Sequence, residues 1–320
     1  LIPNATTTDM GVFTIVNIDL DAVQLQGGIR YDQRMINSEE GLGDIGQIVF
    51  PALEKNYQSI NYSGGIVYSI SNITLRANIA SGFRAPNTSE LLSNGVHEGT
   101  NRYEVGNPNL VSEHATQADF SFDYRNEHIE ISVNPYVNHI SNYIFLSPTG
   151  TSIGSAPVYE YVQTNATLMG GEFGMHYHPH SIHWLHLESN LALVYTKDEA
   201  DNPLPLIPAT NINTTIKVEF TSTSKFRIKD IHLQDIYKFA QNRASLFESA
   251  TPSYNLLNIG INLLLETKKL PLEMTVGVKN ILNTTYIDHL SRFKPMDIPN
   301  PGINGYVGLK VKFNKQLSAH

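Results

Sequence analysis

The chain has 320 residues, a formal net charge of −8 at pH 7, no cysteine and a charged fraction of only 16%. The acidic balance argues against a nucleic-acid-binding protein, which normally presents a basic surface, and the lack of cysteine excludes disulfides and thiolate metal sites. No run of about 18 apolar residues occurs, so the sequence predicts no transmembrane helix.

Alternation of apolar and polar residues with a period of two runs along the chain, and this is the pattern of β-strands. Residues 23–32 read Val-Gln-Leu-Gln-Gly-Gly-Ile-Arg-Tyr-Asp, which places apolar side chains on one face and polar side chains on the other. About thirteen such segments occur, and most are long enough to cross a bilayer, which takes roughly 9–11 residues of a tilted strand. They lie, in chain order, at residues 11–20, 22–35, 59–70, 72–84, 115–125, 128–145, 159–178, 183–197, 209–221, 225–240, 254–267, 271–287 and 303–313. The chain is therefore predicted to be all-β.

The connections between these segments alternate between short and long. Short turns are predicted at residues 21–22, 71–72, 126–127, 179–182, 222–224 and 268–271, and long loops at 36–58, 85–114, 146–158, 198–208, 241–253 and 288–302. Short turns at one end of a sheet and long loops at the other are typical of an outer-membrane barrel. The sequence therefore predicts a transmembrane antiparallel β-barrel, with lipid against its apolar face.

The strand count indicates how the chain is organised. An odd number of antiparallel strands does not close a bacterial barrel, and an open sheet edge in lipid leaves backbone groups unpaired at high cost. We therefore expect about nine further strands, and a domain that fills the barrel, to precede Leu1. Within the chain, residues 1–313 are assigned to the barrel and residues 314–320 to a tail.

Two four-residue motifs make the interpretation specific. They occur in a fixed order on a predicted strand, loop and strand, and Glu113 follows the second of them. The first motif consists of Phe83, Arg84, Ala85 and Pro86, and the second of Asn107, Pro108, Asn109 and Leu110. The pair resembles the signature of TonB-dependent outer-membrane receptors, and residues 27–32 and 278–286 are similar to further blocks of that family.

The resemblance covers essentially the whole chain and carries several implications. It implies the last thirteen strands of a barrel of about 22 strands, closed around an N-terminal plug domain that these residues do not include. It also implies active transport across the bacterial outer membrane, driven by the TonB–ExbB–ExbD complex acting on the plug. Such a transporter needs no covalent chemistry and no cofactor, and an enzyme is not expected.

The two motifs are interpreted as scaffolding for the long loop between them. Arg84 is expected to hold the end of its strand through hydrogen bonds to loop carbonyls or to a carboxylate. Pro86 ends the ladder because it has no N–H to donate, and residues 107–109 are typical of a turn.

The loop between the motifs carries the candidate ligand-binding residues His97, Glu98 and Glu104. Its sequence, taken with residues 142–150 and 159–163, resembles the zinc-uptake subgroup of the family. Imidazole and carboxylate groups are suitable ligands for Zn²⁺, so zinc or another divalent metal is the favoured cargo. The alternative is a haem or iron-siderophore receptor, in which His97 would be an axial ligand of haem iron.

A second candidate metal site lies in residues 176–186, which contain five histidines. The strand pattern places His176, His178 and His186 on the polar face, and His-rich tracts are typical of metal sites. The alternative interpretation is a polar turn without a ligand. A passive barrel or an adhesin is the alternative from another functional class, and neither would be expected to carry the pair of motifs.

Overall fold

The computed structural model describes residues 2–42, 48–97, 99–246, 248–266 and 271–311. Strands account for 67% of the chain and helices for 4%. Within the described residues, no helix combines the length and the apolar character needed to cross a membrane. The strands are β1 (Ala5–Leu20), β2 (Val23–Ser38), β3 (Gly41–Leu42), β4 (Ile48–Phe50), β5 (Leu53–Ile70), β6 (Ile73–Arg84), β7 (Asn94–His97), β8 (Arg102–Val105), β9 (Glu113–Arg125), β10 (Ile129–Ile153), β11 (Ala156–Tyr177), β12 (Leu185–Asp198), β13 (Asn211–Glu219), β14 (Phe226–Lys238), β15 (Tyr254–Leu265), β16 (Leu272–Lys279) and β17 (Asn304–Val311).

Thirteen long strands form one antiparallel meander. Their order in the sheet is β1-β2-β5-β6-β9-β10-β11-β12-β13-β14-β15-β16-β17, so each long strand pairs with the next long strand in the chain. Each of the thirteen predicted segments overlaps one of these strands, in the same order along the chain. The short strands β7 and β8 lie in the loop between β6 and β9, and β8 pairs in parallel with β11. The assigned tail, residues 314–320, lies outside the described residues.

One predicted loop was wrong. Residues 146–158 do not form a long loop, because β10 continues to Ile153 and β11 begins at Ala156. The ladder accommodates Pro148 and Gly150 in a register shift between Pro148 and Ser152. Gly154, with φ 61°, then closes the hairpin in a conformation that favours glycine.

The predicted strand over residues 271–287 was too long, because β16 ends at Lys279. The next residue, Asn280, has φ 50° and cannot continue an extended strand. Its side chain closes a turn onto Thr284, accepting from the backbone N–H at 2.9 Å and donating to the carbonyl at 2.9 Å. Local asparagine hydrogen bonds therefore replace the ladder at this point.

The two faces of the sheet differ in character, and the register explains why. Residues directly opposite in an antiparallel pair point to the same side of the sheet. Tyr31 of β2 therefore shares a face with Ile60 of β5. On this face large apolar side chains are open, with Ile60 and Leu309 each 67% exposed. The opposite face carries polar groups, including the ion pair of Arg125 with Glu130. A continuous apolar surface of this kind fits lipid, not water.

Buried side chains gather at the long-loop end of the sheet. The short helix α1 (Thr88–Leu92) packs here against strand ends. The cluster consists of Ile36, Tyr57, Ala85, Leu91, Leu92, Leu110 and Ile144, with Leu53, Phe83 and Tyr161 packed around it. The loop between β6 and β9 is therefore held by a small hydrophobic core. Two 3₁₀ helices, His180–Ile182 and Lys294–Met296, lie in other connections.

Phe120 tests the orientation of the faces, because it is 43% exposed on the apolar face near the middle of β9. We expect Phe120→Arg in the intact protein to lower the free energy of unfolding in lipid vesicles by about 2–4 kcal/mol, the cost of a cation near the bilayer midplane. Gln117→Arg, on the polar face of the same strand and beside Asp119, is the matched control and should cost far less. Equal losses for the two variants would contradict the assignment of faces.

His289 tests the packing of the β16–β17 connection, where it is 5% exposed with Nδ1 3.0 Å from Thr251 Oγ1 and 3.0 Å from Lys294 Nζ. Burial, and then the charge of Lys294, hold its pKa below the ordinary 6.5 against the opposing charges of Glu248 and Asp288. The folded chain therefore resists a proton that the unfolded chain accepts. We expect local stability to be constant above that pH and to fall as the pH drops below it.

Amide hydrogen exchange in residues 286–296, compared at about pH 7.5 and about pH 5.5 after correction for intrinsic rates, measures this dependence. His289→Gln keeps a polar side chain without a titrating ring and should abolish the difference. An unchanged pH dependence in that variant would assign the effect to another group.

Candidate functional site

Arg84 joins three parts of the long-loop end. It is the last residue of β6, and its direct neighbour in the ladder is Glu113 at the start of β9. Its Nε and Nη2 donate to the two oxygens of Glu113 at 2.8 and 2.7 Å, while Nη1 donates to both oxygens of Glu90 at 2.8 and 2.9 Å. Both carboxylates belong to buried residues. Of the two kinds of partner that the sequence left open for Arg84, the structure shows carboxylates.

Helix α1 begins where it does because of a reciprocal cap. Pro86 is fully buried and has no N–H, so the strand ladder ends before it. Asn87 then accepts a hydrogen bond on Oδ1 from the Glu90 N–H at 2.9 Å, and Glu90 accepts one from the Asn87 N–H at 2.8 Å. This capping box fixes the Glu90 carboxylate in the place where Arg84 reaches it.

The second motif closes the loop onto the same core. Asn107 Oδ1 accepts from the Asn109 N–H at 2.9 Å, which forms the turn, and Leu110 is 2% exposed. The Leu110 carbonyl accepts from the Tyr57 hydroxyl at 3.3 Å. Gly106, just before the motif, passes so close to α1 that a Cβ would lie 2.4 Å from the Leu92 nitrogen. Residues of both motifs therefore contact the stems and the core of the loop between them.

The structure places the three loop candidates differently. His97 ends β7 and is exposed, with Nδ1 3.4 Å from Thr100 Oγ1. Glu104 on β8 is 8% exposed and accepts a hydrogen bond from the Tyr161 hydroxyl at 3.3 Å, so its carboxylate is committed to the core. Glu98 lies outside the described residues. Of the two candidates that the structure describes, His97 has the side chain that is open to a ligand.

The three histidines of the second candidate site come together on the polar face at the short-turn end. His176 and His178 lie at and just beyond the end of β11, and His186 lies near the start of β12. Ligand nitrogens from all three rings lie within 4.8 Å of one another. His176 Nε2 is 3.0 Å from His186 Nδ1, and the ring centroids of these two residues are 5.3 Å apart. Three imidazoles in this arrangement can hold one transition-metal ion.

Sequence reasoning missed the acidic partner of this group. Glu219 ends β13, and its Oε2 lies 3.5 Å from His186 Nε2, while its Oε1 accepts from Lys217 at 2.9 Å. The register places Lys217 directly opposite His186. Extending the predicted pairing from β12 to β13 would have brought this acid to the histidines, because the two strands follow one another in the chain.

Comparison with known proteins identifies the architecture. The family model described as "TonB dependent receptor-like, beta-barrel" matches residues 1–281. Among solved structures, the copper transporter OprC has a TM-score of 0.78 and 17% identity over 95% of this chain and 49% of its own.

Two further solved structures are similar in fold. The FrpB iron transporter from Neisseria meningitidis (F3-3 variant) has a TM-score of 0.67 and 16% identity, covering 97% of this chain and 46% of its own. The Serratia marcescens hemophore receptor HasR, a double mutant in complex with HasA and heme, has a TM-score of 0.68 and 14% identity over 95% and 51%. The chain spans about half the length of these structures, and likeness at such identity concerns the fold alone.

Arg84 is the point at which the scaffold can be tested. Arg84→Gln leaves the Glu90 and Glu113 carboxylates together without their cation, and we expect a local loss of about 1–3 kcal/mol. Hydrogen exchange of the Leu91 and Leu92 amides should accelerate by about 10- to 100-fold in the intact protein. Arg102→Gln is the control. Arg102 lies in the same loop as Arg84's partner Glu90, and its guanidinium is 4.5 Å from the ring of Tyr159 on β11. Comparable acceleration by both variants would argue against a special role for Arg84.

Proposed function

Because the chain belongs to the TonB-dependent receptor β-barrel family, we propose that the intact protein imports a divalent metal ion, zinc foremost, across the bacterial outer membrane. Family membership places the chain in the outer membrane, with its apolar face against lipid. Energy for import comes, in this proposal, from the TonB–ExbB–ExbD complex acting on a plug domain of the intact protein. The long loops are extracellular and the short turns periplasmic.

The observation that supports a metal cargo is the position of His97. The imidazole is exposed at the end of β7, in the loop whose stems Arg84 joins through Glu90 and Glu113. A ligand on a rigid base loses little conformational entropy on binding, and imidazole is a common metal ligand. Glu98 follows His97 in the sequence and supplies a carboxylate on the same loop. The remaining ligands of a capture site come from other loops or from the plug.

The printed names of the similar structures support a metal-containing cargo in a broader sense. They include a copper transporter, an iron transporter and a hemophore receptor with heme. Haem is the second candidate cargo, since one exposed imidazole is sufficient for an axial iron bond. Zinc is preferred because the loop pairs its imidazole with a carboxylate, a ligand type common in zinc sites.

Calorimetric titration of the intact protein in detergent with zinc, and absorbance titration with haem, test the cargo. We expect zinc binding to the wild type and at least about 10-fold weaker binding at the capture site in the His97→Ala, Glu98→Ala double variant. His139→Ala, an exposed imidazole on β10, is the matched control and should bind as the wild type does.

The other outcomes each redirect the proposal. A Soret shift that disappears in the double variant would assign the cargo to haem, with His97 as axial ligand. Zinc uptake by cells that persists without TonB would indicate a passive barrel. Zinc binding unaffected by the double variant would exclude this loop as the capture site.

A further inference from the structure

We propose that His176, His178 and His186 form a second metal site, separate from His97, that binds a borderline cation such as Zn²⁺ at the periplasmic end of the barrel wall. The three rings lie on the polar face beside the short turn between β11 and β12. His97 lies in the long loop at the other end of the sheet. Binding here does not depend on which cargo the extracellular loop captures.

The spacing of the rings suits one tetrahedral ion. Nitrogens that ligate zinc at about 2.0–2.1 Å are roughly 3.3 Å apart in a tetrahedral site. The observed 3.0 Å between His176 Nε2 and His186 Nδ1 is close to that value, so these two rings need little movement. The His178 ring, with its centroid 5.3 Å from that of His176, reaches the same point by side-chain rotation. Three protein ligands leave the fourth position of the ion for a water molecule or for a ligand that the ion carries with it.

His186 is oriented as a ligand is usually oriented. Its Nδ1 faces His176, and its Nε2 faces the Glu219 carboxylate at 3.5 Å. Histidines that bind metal commonly donate the second ring N–H to a carboxylate, which fixes the ring and makes it a better donor to the ion. Lys217 holds the other Glu219 oxygen at 2.9 Å. Glu219 is therefore a positioning residue for His186.

The imidazole nitrogens of this group are poorly satisfied by protein partners. Among the described residues, His178 Nδ1 and His186 Nε2 are buried atoms that make no hydrogen bond, and so is Nδ1 of the neighbouring His128. A buried nitrogen without a partner is costly and uncommon in folded proteins. A cation on Nδ1 of His186 polarises its Nε2–H and draws it to Glu219. Metal binding thus offsets part of the cost of burying these rings.

The site opens onto the barrel interior and its surroundings favour a cation. His176 lines a cavity of about 570 Å³ on the polar face. Both arginines that line it are neutralised, because Arg76 pairs with Asp123 and Arg125 pairs with Glu130. Glu188 lies directly opposite His176 in the ladder, and no ion pair or hydrogen bond holds its side chain within the described ranges. This uncompensated carboxylate lowers the electrostatic energy of a cation near the rings.

The position suggests a use, and only this use rests on the proposed function. An ion that leaves the extracellular site and passes the plug reaches the periplasmic mouth last. Three imidazoles with an open fourth position bind such an ion without enclosing it. The site therefore binds the cation transiently before it is released into the periplasm.

The experiment counts sites on the intact protein in detergent with Zn²⁺ by calorimetry and with Co²⁺ by visible absorption, whose ligand-field bands report nitrogen coordination. We expect two sites in the wild type, and one after His176→Ala with His186→Ala. The His97→Ala, Glu98→Ala variant should retain the cobalt spectrum of the triad. Glu219→Gln should weaken the triad by about 10- to 100-fold while Glu172→Gln, exposed on the same face, leaves it unchanged.

His180→Ala with His183→Ala is the matched control, since both histidines are exposed in the same turn and lie outside the triad. Heat-modifiable migration and circular dichroism show whether each variant retains the barrel. An unchanged cobalt spectrum in the folded His176, His186 variant would overturn the inference, as would its loss in the His180, His183 control. If the wild type binds one zinc ion and the His97→Ala, Glu98→Ala variant binds none, the inference is also overturned. The proposed function stands in that case.

Discussion

The antiparallel register is the constraint on which the rest of the structure depends. In each pair of strands, opposite residues share a face, and a slip by one residue would turn every apolar side chain of a strand to the polar side. With lipid on one face, such a slip is prohibitively costly, so the register is fixed across all thirteen long strands. Fixed register then determines which polar side chains meet. It places His176 opposite Glu188 and His186 opposite Lys217.

The same constraint explains why so much of the fold was predictable. A strand with lipid on one side and polar surroundings on the other must alternate along its whole length, and the alternation is visible in a single sequence. For Arg84 the sequence left loop carbonyls and a carboxylate open as partners, and the structure shows the carboxylates of Glu90 and Glu113. The meeting of His176, His178 and His186 followed from counting positions along two neighbouring strands.

What could not be predicted depends on local hydrogen bonds and on side chains distant in sequence. A proline within β10 normally ends a strand, and only the register shift beside Pro148 shows how the ladder continues. Asn280 ends β16 through its own side chain, which no alternation reveals. Glu104 resembled a ligand in sequence, yet the hydroxyl of Tyr161, from a strand more than fifty residues later, draws it into the core. Glu98 stays a prediction, because it lies outside the described residues.

Arg84 and Glu113 are ladder neighbours at the two ends of the loop between β6 and β9. Their contact joins both stems of the loop, while Leu91, Leu92 and the pairing of β8 with β11 hold the residues nearest the sheet. The entropy of closing a loop grows only slowly with its length, and insertions at the exposed hairpin tip near His97 are cheap. The tip therefore tolerates changes of length that the packed part of the loop does not. Changes confined to the tip leave the Arg84–Glu113 contact in place, and with it the strands on either side.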